Sequence, residues 1–312
     1  MEPIRSLEQL AANLKGSPPR TVAVAAGHDE NSIQAAGRAA SEGIARMVLV
    51  GDRPRIEALS ARFGVDPALF TIVEEPDVNK AGLLARDMVR GGEADVLMKG
   101  LIGTDAYTRL ILDKENGLLP PGAVLSHITV IDTPAYQKLH GKLLFVSDVA
   151  VIPAPDLATK VKMVGYAVEA ARSFGIVTPR VAIIAASEKV TEKMPATIDA
   201  AIIAKMADRG QIKGAIVDGP LALDVALSPE ACAIKGLRSP LEGAADVLIF
   251  PNIDAGNVFY KASTILAGGN LAAIVAGASA PCVLTSRADT EDSKFYSIAL
   301  GCKLAARGER PD

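Results

Sequence analysis

Cysteine is scarce and scattered. Cys232, Cys282 and Cys302 are the whole complement. No CxxC pair and no histidine at metal-ligand spacing accompanies them, which excludes a disulfide scaffold and any argued metal site and fits reduced thiols in the cytoplasm. An excess of one charge is missing too. With 33 Lys and Arg against 36 Asp and Glu, the formal net charge is -3. That is not the basic footprint of a nucleic-acid binder, though it leaves room for a small anionic ligand. The first stretch, MEPIRSLEQLAANLKG, carries Glu2, Arg5 and Glu8 and lacks the apolar core of a signal peptide, so export is not expected. Residues 262–286 hold no charge, but Gly268, Gly269, Asn270, Gly277 and Pro281 interrupt them. They read as helix end, loop and buried strand rather than as a membrane span.

Several signatures are likewise missing. No GxGxxG follows a strand and no GxxxxGK[ST] loop occurs, which removes the main support for a Rossmann dehydrogenase or a P-loop kinase. No HxxE or GxSxG pattern marks a hydrolase. His28, His127 and His140 are too dispersed for a metal centre, and none is expected. Neither a fixed-period repeat nor a Pro/Ser-rich linker divides the chain.

What is present is a long series of short apolar runs. They fall at residues 21–26, 47–50, 71–73, 95–98, 124–131, 143–146, 181–184, 215–217, 247–250, 273–275 and 283–285. Each is continuous rather than alternating, as in strands buried on both faces of a parallel sheet. Stretches of helical length separate many of them, including 32–46, 79–90, 158–174 and 195–208. Strand, helix, strand repetition over 312 residues predicts a doubly wound α/β fold in two domains. The Gly117 to Gly122 stretch, GLLPPG, is the best local candidate for a crossing between them.

In open parallel sheets, ligands bind outside the carboxyl ends of the strands. Just past those ends stand His28 and Asp29, Lys99 with Thr104 and Arg109, Ser147 with Asp148, Asp218, Asn252 with Asp254, and Ser286 with Arg287. Cations, hydroxyls and carboxylates in that company suit a phosphorylated or otherwise anionic small substrate handled by acid and base groups. In the last segment, VLTSRADTEDSKFYSIAL, the acids Asp289, Glu291 and Asp292 follow Ser286 and Arg287 before a helical pattern. Acids at that place also complement a helix dipole, so taken alone the segment reads first as an ordinary strand-to-helix turn.

This C-terminal segment resembles that of the phosphate acetyl/butyryltransferase family. Four other stretches agree in order: ADVLMKGLIGTDAYTR from Ala94, LLFVSDVAVIPAPDL from Leu143, VDGPLALDVA from Val217 and ADVLIFPNIDAGNVFYKAS from Ala245. The resemblance runs from about Thr21 to Leu304, and its LMKG and VDGPLALD wording is nearer the butyryl branch. It implies two α/β/α domains with mostly parallel sheets and an interdomain cleft, an architecture like that of isocitrate and isopropylmalate dehydrogenases. Residues 1–128 with 285–312 would form the first domain and 129–284 the second. It further implies a cytoplasmic homodimer or higher homo-oligomer that moves an acetyl or butyryl group between coenzyme A and inorganic phosphate, giving an acyl phosphate. Coenzyme A and phosphate are substrates, so no cofactor or metal is implied, and neither nucleic acid nor membrane is a partner.

The same resemblance distributes the roles. Ser286 would donate to the carbonyl oxygen as it gains charge, and Arg287 would hold phosphate through its planar fork. Lys99, Thr104 and Arg109 would balance the phosphate charge, and Asn257, Tyr260 and Lys261 would face the same cleft from the other domain. The family's general base is an aspartate several residues after the serine. Here Ser293 stands seven residues on, so Asp292 is assigned the base, with Asp289 in reserve. An acyl-enzyme on Cys282 is the alternative route. Two competing classes stay open: a non-catalytic acyl-CoA-sensing module of the same fold, and an oxidoreductase of the isocitrate dehydrogenase type, whose motifs find no ordered match.

Overall fold

The computed structural model describes residues 2–285 and 289–305. Its strands are β1 (Arg20–Ala25), β2 (Ala45–Gly51), β3 (Phe70–Glu74), β4 (Val96–Lys99), β5 (Ser126–Asp132), β6 (Leu144–Ser147), β7 (Arg180–Ile184), β8 (Ile216–Leu221), β9 (Val247–Ile249), β10 (Asn270–Ala276) and β11 (Cys282–Val283). Each coincides with or overlaps one of the apolar runs in the sequence. The chain forms two compact units, Leu7–Leu125 with Leu271–Asp312, and Met1–Ser6 with Ser126–Asn270.

In the unit that contains β1, the strand order is β3-β2-β1-β4-β11-β10. The first five are mutually parallel, and β10 runs antiparallel to β11. Because β11 pairs with β4 through Val283 and Met98, the last strands belong to this sheet. The chain therefore returns at Leu271, where the sequence suggests residue 285. The helix read over 32–46 is Glu30–Ser41. Gly43 takes a left-handed φ of 70° and ends it, because that conformation is cheap only for glycine. Ile44 and Ala45 then feed β2.

In the other unit the order is β5-β6-β9-β7-β8. Strands β6, β9, β7 and β8 are parallel, while β5 is antiparallel to β6. The start of β5 thus meets the carboxyl end of β6. Residues near the N-terminus join this unit, with Ile4 N donating to the Phe174 carbonyl at 2.8 Å. Asp29, Asp52 and Asp156 each cap a following helix by accepting a backbone N–H, so the polar residues just past several strands also start helices.

His28 fastens two of these strand ends. It is buried, its Nδ1 accepts from Asp52 N at 3.3 Å, and a Cβ on Gly51 would stand 2.5 Å from that nitrogen. Burial holds its pKa below the ordinary 6.5, Arg55 lowers it further, and Asp52 and Asp29 oppose. The folded state therefore needs the neutral ring, so its contribution is complete above about pH 6.5 and is lost as pH falls through the lowered value. Urea unfolding between pH 7.5 and 5 should show stability declining with acid, and His28→Asn should flatten that slope. An equal slope in the variant would contradict this role.

Candidate active site

The carboxyl ends of β1 and β4 are locked together in the β1 unit. Gly100 N donates to the Ala25 carbonyl at 3.0 Å and Leu101 N to the Ala26 carbonyl at 2.8 Å. Ala26 adopts φ 59°, and a Cβ on Gly100 would lie 2.3 Å from the Ala26 oxygen, so only glycine fits there. This closure fixes Lys99, the last residue of β4, whose side chain is buried and donates from Nζ to the Gly100 carbonyl at 3.2 Å. A buried ammonium is tolerable only with carbonyl or anionic partners, and the turn after β4 supplies this carbonyl. Thr104 begins the helix Thr104–Leu112 and Arg109 stands one turn on, both exposed. Gly103 gives that helix no side-chain cap, and a helix N-terminus favours negative charge.

Ser286 and Arg287 lie outside the described residues. Before them Thr285 is buried. After them the Asp289 carbonyl accepts from Asn31 Nδ2 at 3.4 Å, which sets Asp289 beside the start of the helix Glu30–Ser41. Thr290 Oγ1 accepts from Ser293 N at 3.2 Å and opens the helix Glu291–Ala305. That helix is buried from Ser293 to Cys302. Gly301 permits its approach, since a Cβ there would come within 2.9 Å of Val96 and 3.2 Å of Val283.

Three ion pairs tie this helix to Glu30–Ser41 and its cap Asp29, one of them between Arg38 and Glu291 at 3.4 Å. Lys294, only 5% exposed at its side chain, donates to Asp29 Oδ1 at 3.1 Å and to Ser32 Oγ at 3.2 Å. Asp292 Oδ1 accepts from Arg38 at 2.6 Å, its side chain 51% exposed. Of the acids suggested by sequence, Asp292 is thus held by a guanidinium, and Asp289 lies at a bend before the helix. Arg38 lies outside all the quoted motifs, and Lys294 lies inside the C-terminal one without being singled out there.

Buried Asp148 organises the carboxyl end of β6 in the other unit. Its Oδ2 accepts from His127 N at 2.7 Å and Ser126 Oγ at 3.1 Å, and its Oδ1 from Ala150 N and Val151 N, both at 2.8 Å. Four donors on one carboxylate fix the loop that leaves β6. Asn257 serves the same loop, with Nδ2 donating to the Val149 carbonyl at 3.0 Å. Gly256 must be glycine, because a Cβ would meet the Asp148 carbonyl at 2.2 Å. Tyr260 is half-buried and packs against the apolar cluster that includes Phe250 and Val149, while Lys261 is exposed. The expected residues therefore fall into two sets: Lys99, Thr104, Arg109, Asp289 and Asp292 in one unit, and Asn257, Tyr260 and Lys261 in the other.

Cys282 is fully buried on β11, and burial pushes its thiol up to about 12, only partly opposed by the Tyr107 hydroxyl. Such a thiol is a poor nucleophile. Among the described residues no group of three or more His, Cys, Asp or Glu could hold a metal ion, and no helix is long and apolar enough to cross a membrane.

Against known proteins, the profile of the phosphate acetyl/butaryl transferase family matches residues 74–302. The chain is similar to phosphate butyryltransferase of Clostridium acetobutylicum, with 44% identity across 97% of this chain and 99% of that one. It is 41% identical to phosphate acetyltransferase of Thermotoga maritima across 96% of this chain and 99% of the other. Among solved structures, a branched-chain phosphotransacylase from Enterococcus faecalis superposes with a TM-score of 0.80 at 30% identity, over 92% of this chain and 99% of that one.

Two outcomes follow from the site geometry. Asp148→Ala orphans several buried donors at about 1–3 kcal/mol each and should lower unfolding stability by roughly 3 kcal/mol or more; a loss under about 1 kcal/mol in chemical denaturation would refute the hub. Cys282 should resist iodoacetamide in the native protein, with Cys282→Ala retaining wild-type turnover. An inactive but folded Cys282→Ala would restore the acyl-enzyme route.

Proposed function

The chain belongs to the phosphate acetyl/butyryltransferase family, and from that premise we propose how it works as an acyltransferase between coenzyme A and inorganic phosphate. The observation that carries this reading is similarity to both a butyryl- and an acetyltransferase across at least 96% of the chain. The substrate is a short acyl group, acetyl or butyryl. Coenzyme A carries the reactive sulfur itself, so the reaction needs no resident cofactor or metal.

In the direction of acyl-CoA synthesis, Asp292 takes the proton of the coenzyme A thiol. A free thiol has a pKa of about 8.5, so a positioned carboxylate raises the fraction that attacks as thiolate. The sulfur adds to the carbonyl carbon of the acyl phosphate, and Ser286 donates to the oxygen that becomes negative. The C–O bond to phosphate then breaks, leaving a thioester and inorganic phosphate. Arg287, Lys99, Thr104 and Arg109 hold the phosphate, a planar fork and a buried ammonium being suited to different oxygens. The family resemblance assigns Asn257, Tyr260 and Lys261 to the substrate. The fixed loop beneath Asn257 supports that assignment, because a substrate contact on a clamped element keeps its geometry. Three free cysteines support a cytoplasmic site of action, and the family resemblance supports a homodimer or higher homo-oligomer.

Mixing the pure protein with acetyl-, propionyl- or butyryl-CoA should release free thiol only when phosphate is present. Asp292→Asn should lower turnover by about 10²-fold or more, and Ser286→Ala by roughly 10²–10³-fold. Thiol release independent of phosphate would make the protein a thioesterase and overturn the reading.

A further inference from the structure

Arg38 has no place in the acyl-transfer scheme, yet it contacts the residue assigned as its base. Its NH1 donates to Asp292 Oδ1 at 2.6 Å and lies 3.4 Å from Glu291 Oε2. Its Nε donates to Glu42 Oε1 at 3.0 Å, and Glu42 is held in turn by Lys15 at 3.0 Å. The guanidinium lies 3.8 Å over the centroid of the Phe295 ring, and that ring is fully buried. Anchors that do not involve Asp292, chief among them the Glu42 carboxylate and the Phe295 face, thus fix the plane of the fork.

An aspartate half exposed in the first turn of a helix has several rotamers open to it. Here one oxygen is tied down, while Asp292 Oδ2 has no hydrogen-bond partner among the described residues. We propose that Arg38 is the positioning residue of the general base, holding Asp292 Oδ1 so that Oδ2 is aimed to receive the thiol proton. The inference rests on the reading of Asp292 as that base. The other charged groups nearby do not compete for this task. Lys294 on the same helix is turned to Asp29, Lys15 is engaged with Glu42, and Glu291 shares Arg38 at the longer distance.

A purely structural arginine and a positioning arginine differ in how their loss combines with loss of Asp292. Turnover, KM for each substrate and thermal midpoint are measured for Arg38→Met, Arg38→Lys, Asp292→Asn and the double variants. Arg38→Met keeps an apolar stem against Phe295 and loses the fork. It should lower kcat about 10- to 100-fold, the scale of a misplaced catalytic group, with KM for coenzyme A and acyl phosphate within about twofold of wild type. Arg38→Lys should recover part of that loss, since a point charge replaces the fork. In the Asp292→Asn background Arg38→Met should have no further effect on kcat. The proposal fails if Arg38→Met turns over at the wild-type rate, if its loss appears in KM alone, or if it lowers kcat by the same factor with and without Asp292. Full activity in Asp292→Asn removes the base assignment itself, and the proposal with it. Should Arg38→Met not fold, Arg38→Lys with and without Asp292→Asn gives the same comparison.

Discussion

Buried charge at the carboxyl ends of parallel strands has to be satisfied, and the loops of this protein are shaped by that demand. Asp148 is the plainest case: a carboxyl group away from water is tolerable only when partners surround it, and the chain supplies three backbone N–H groups and a hydroxyl. The antiparallel placement of β5 is what makes this possible, because it brings Ser126 and His127 to the edge where β6 ends. In the other unit Lys99 and Lys294 impose the same requirement with the opposite sign. Lys294 is met by Asp29 and Ser32 at the start of a helix, and Lys99 by the tight turn that follows it.

Rigidity for chemistry follows from these closures. A residue on a loop serves catalysis only as well as the loop is held, and a displacement of about 1 Å can cost two orders of magnitude in rate. Backbone contacts that admit no Cβ, at Gly100 against Ala26 and at Gly256 against Asp148, hold the loops without long side chains. The same economy explains why the last helix approaches β4 and β11 through Gly301.

Much of this architecture is legible in the sequence because it is written locally. Continuous apolar runs mark all the strands, since a strand covered on both faces has no polar side to alternate with. The helix Pro195–Asp208 is read to its ends, its proline marking the first turn. Pairings across long stretches of chain are not legible. Arg38 and Asp292 are separated by 254 positions, and nothing in either neighbourhood announces the other. Lys294 sits in a helix pattern where a lysine ordinarily faces water, yet tertiary packing buries it beside Asp29. Asp148 stands out only as a residue after a strand, because its four donors come from two separate segments. The return of the chain at Leu271 rather than residue 285 is of the same kind, decided by the pairing of β11 with β4.

In the proposed mechanism the acyl group passes directly between sulfur and phosphate oxygen and never rests on the protein. Isotope exchange measures this directly. With acyl-CoA and labelled coenzyme A but no phosphate, no label should enter acyl-CoA, because direct transfer leaves no acyl-enzyme for labelled coenzyme A to attack. Exchange at a rate comparable to turnover would show a covalent acyl-enzyme and contradict it.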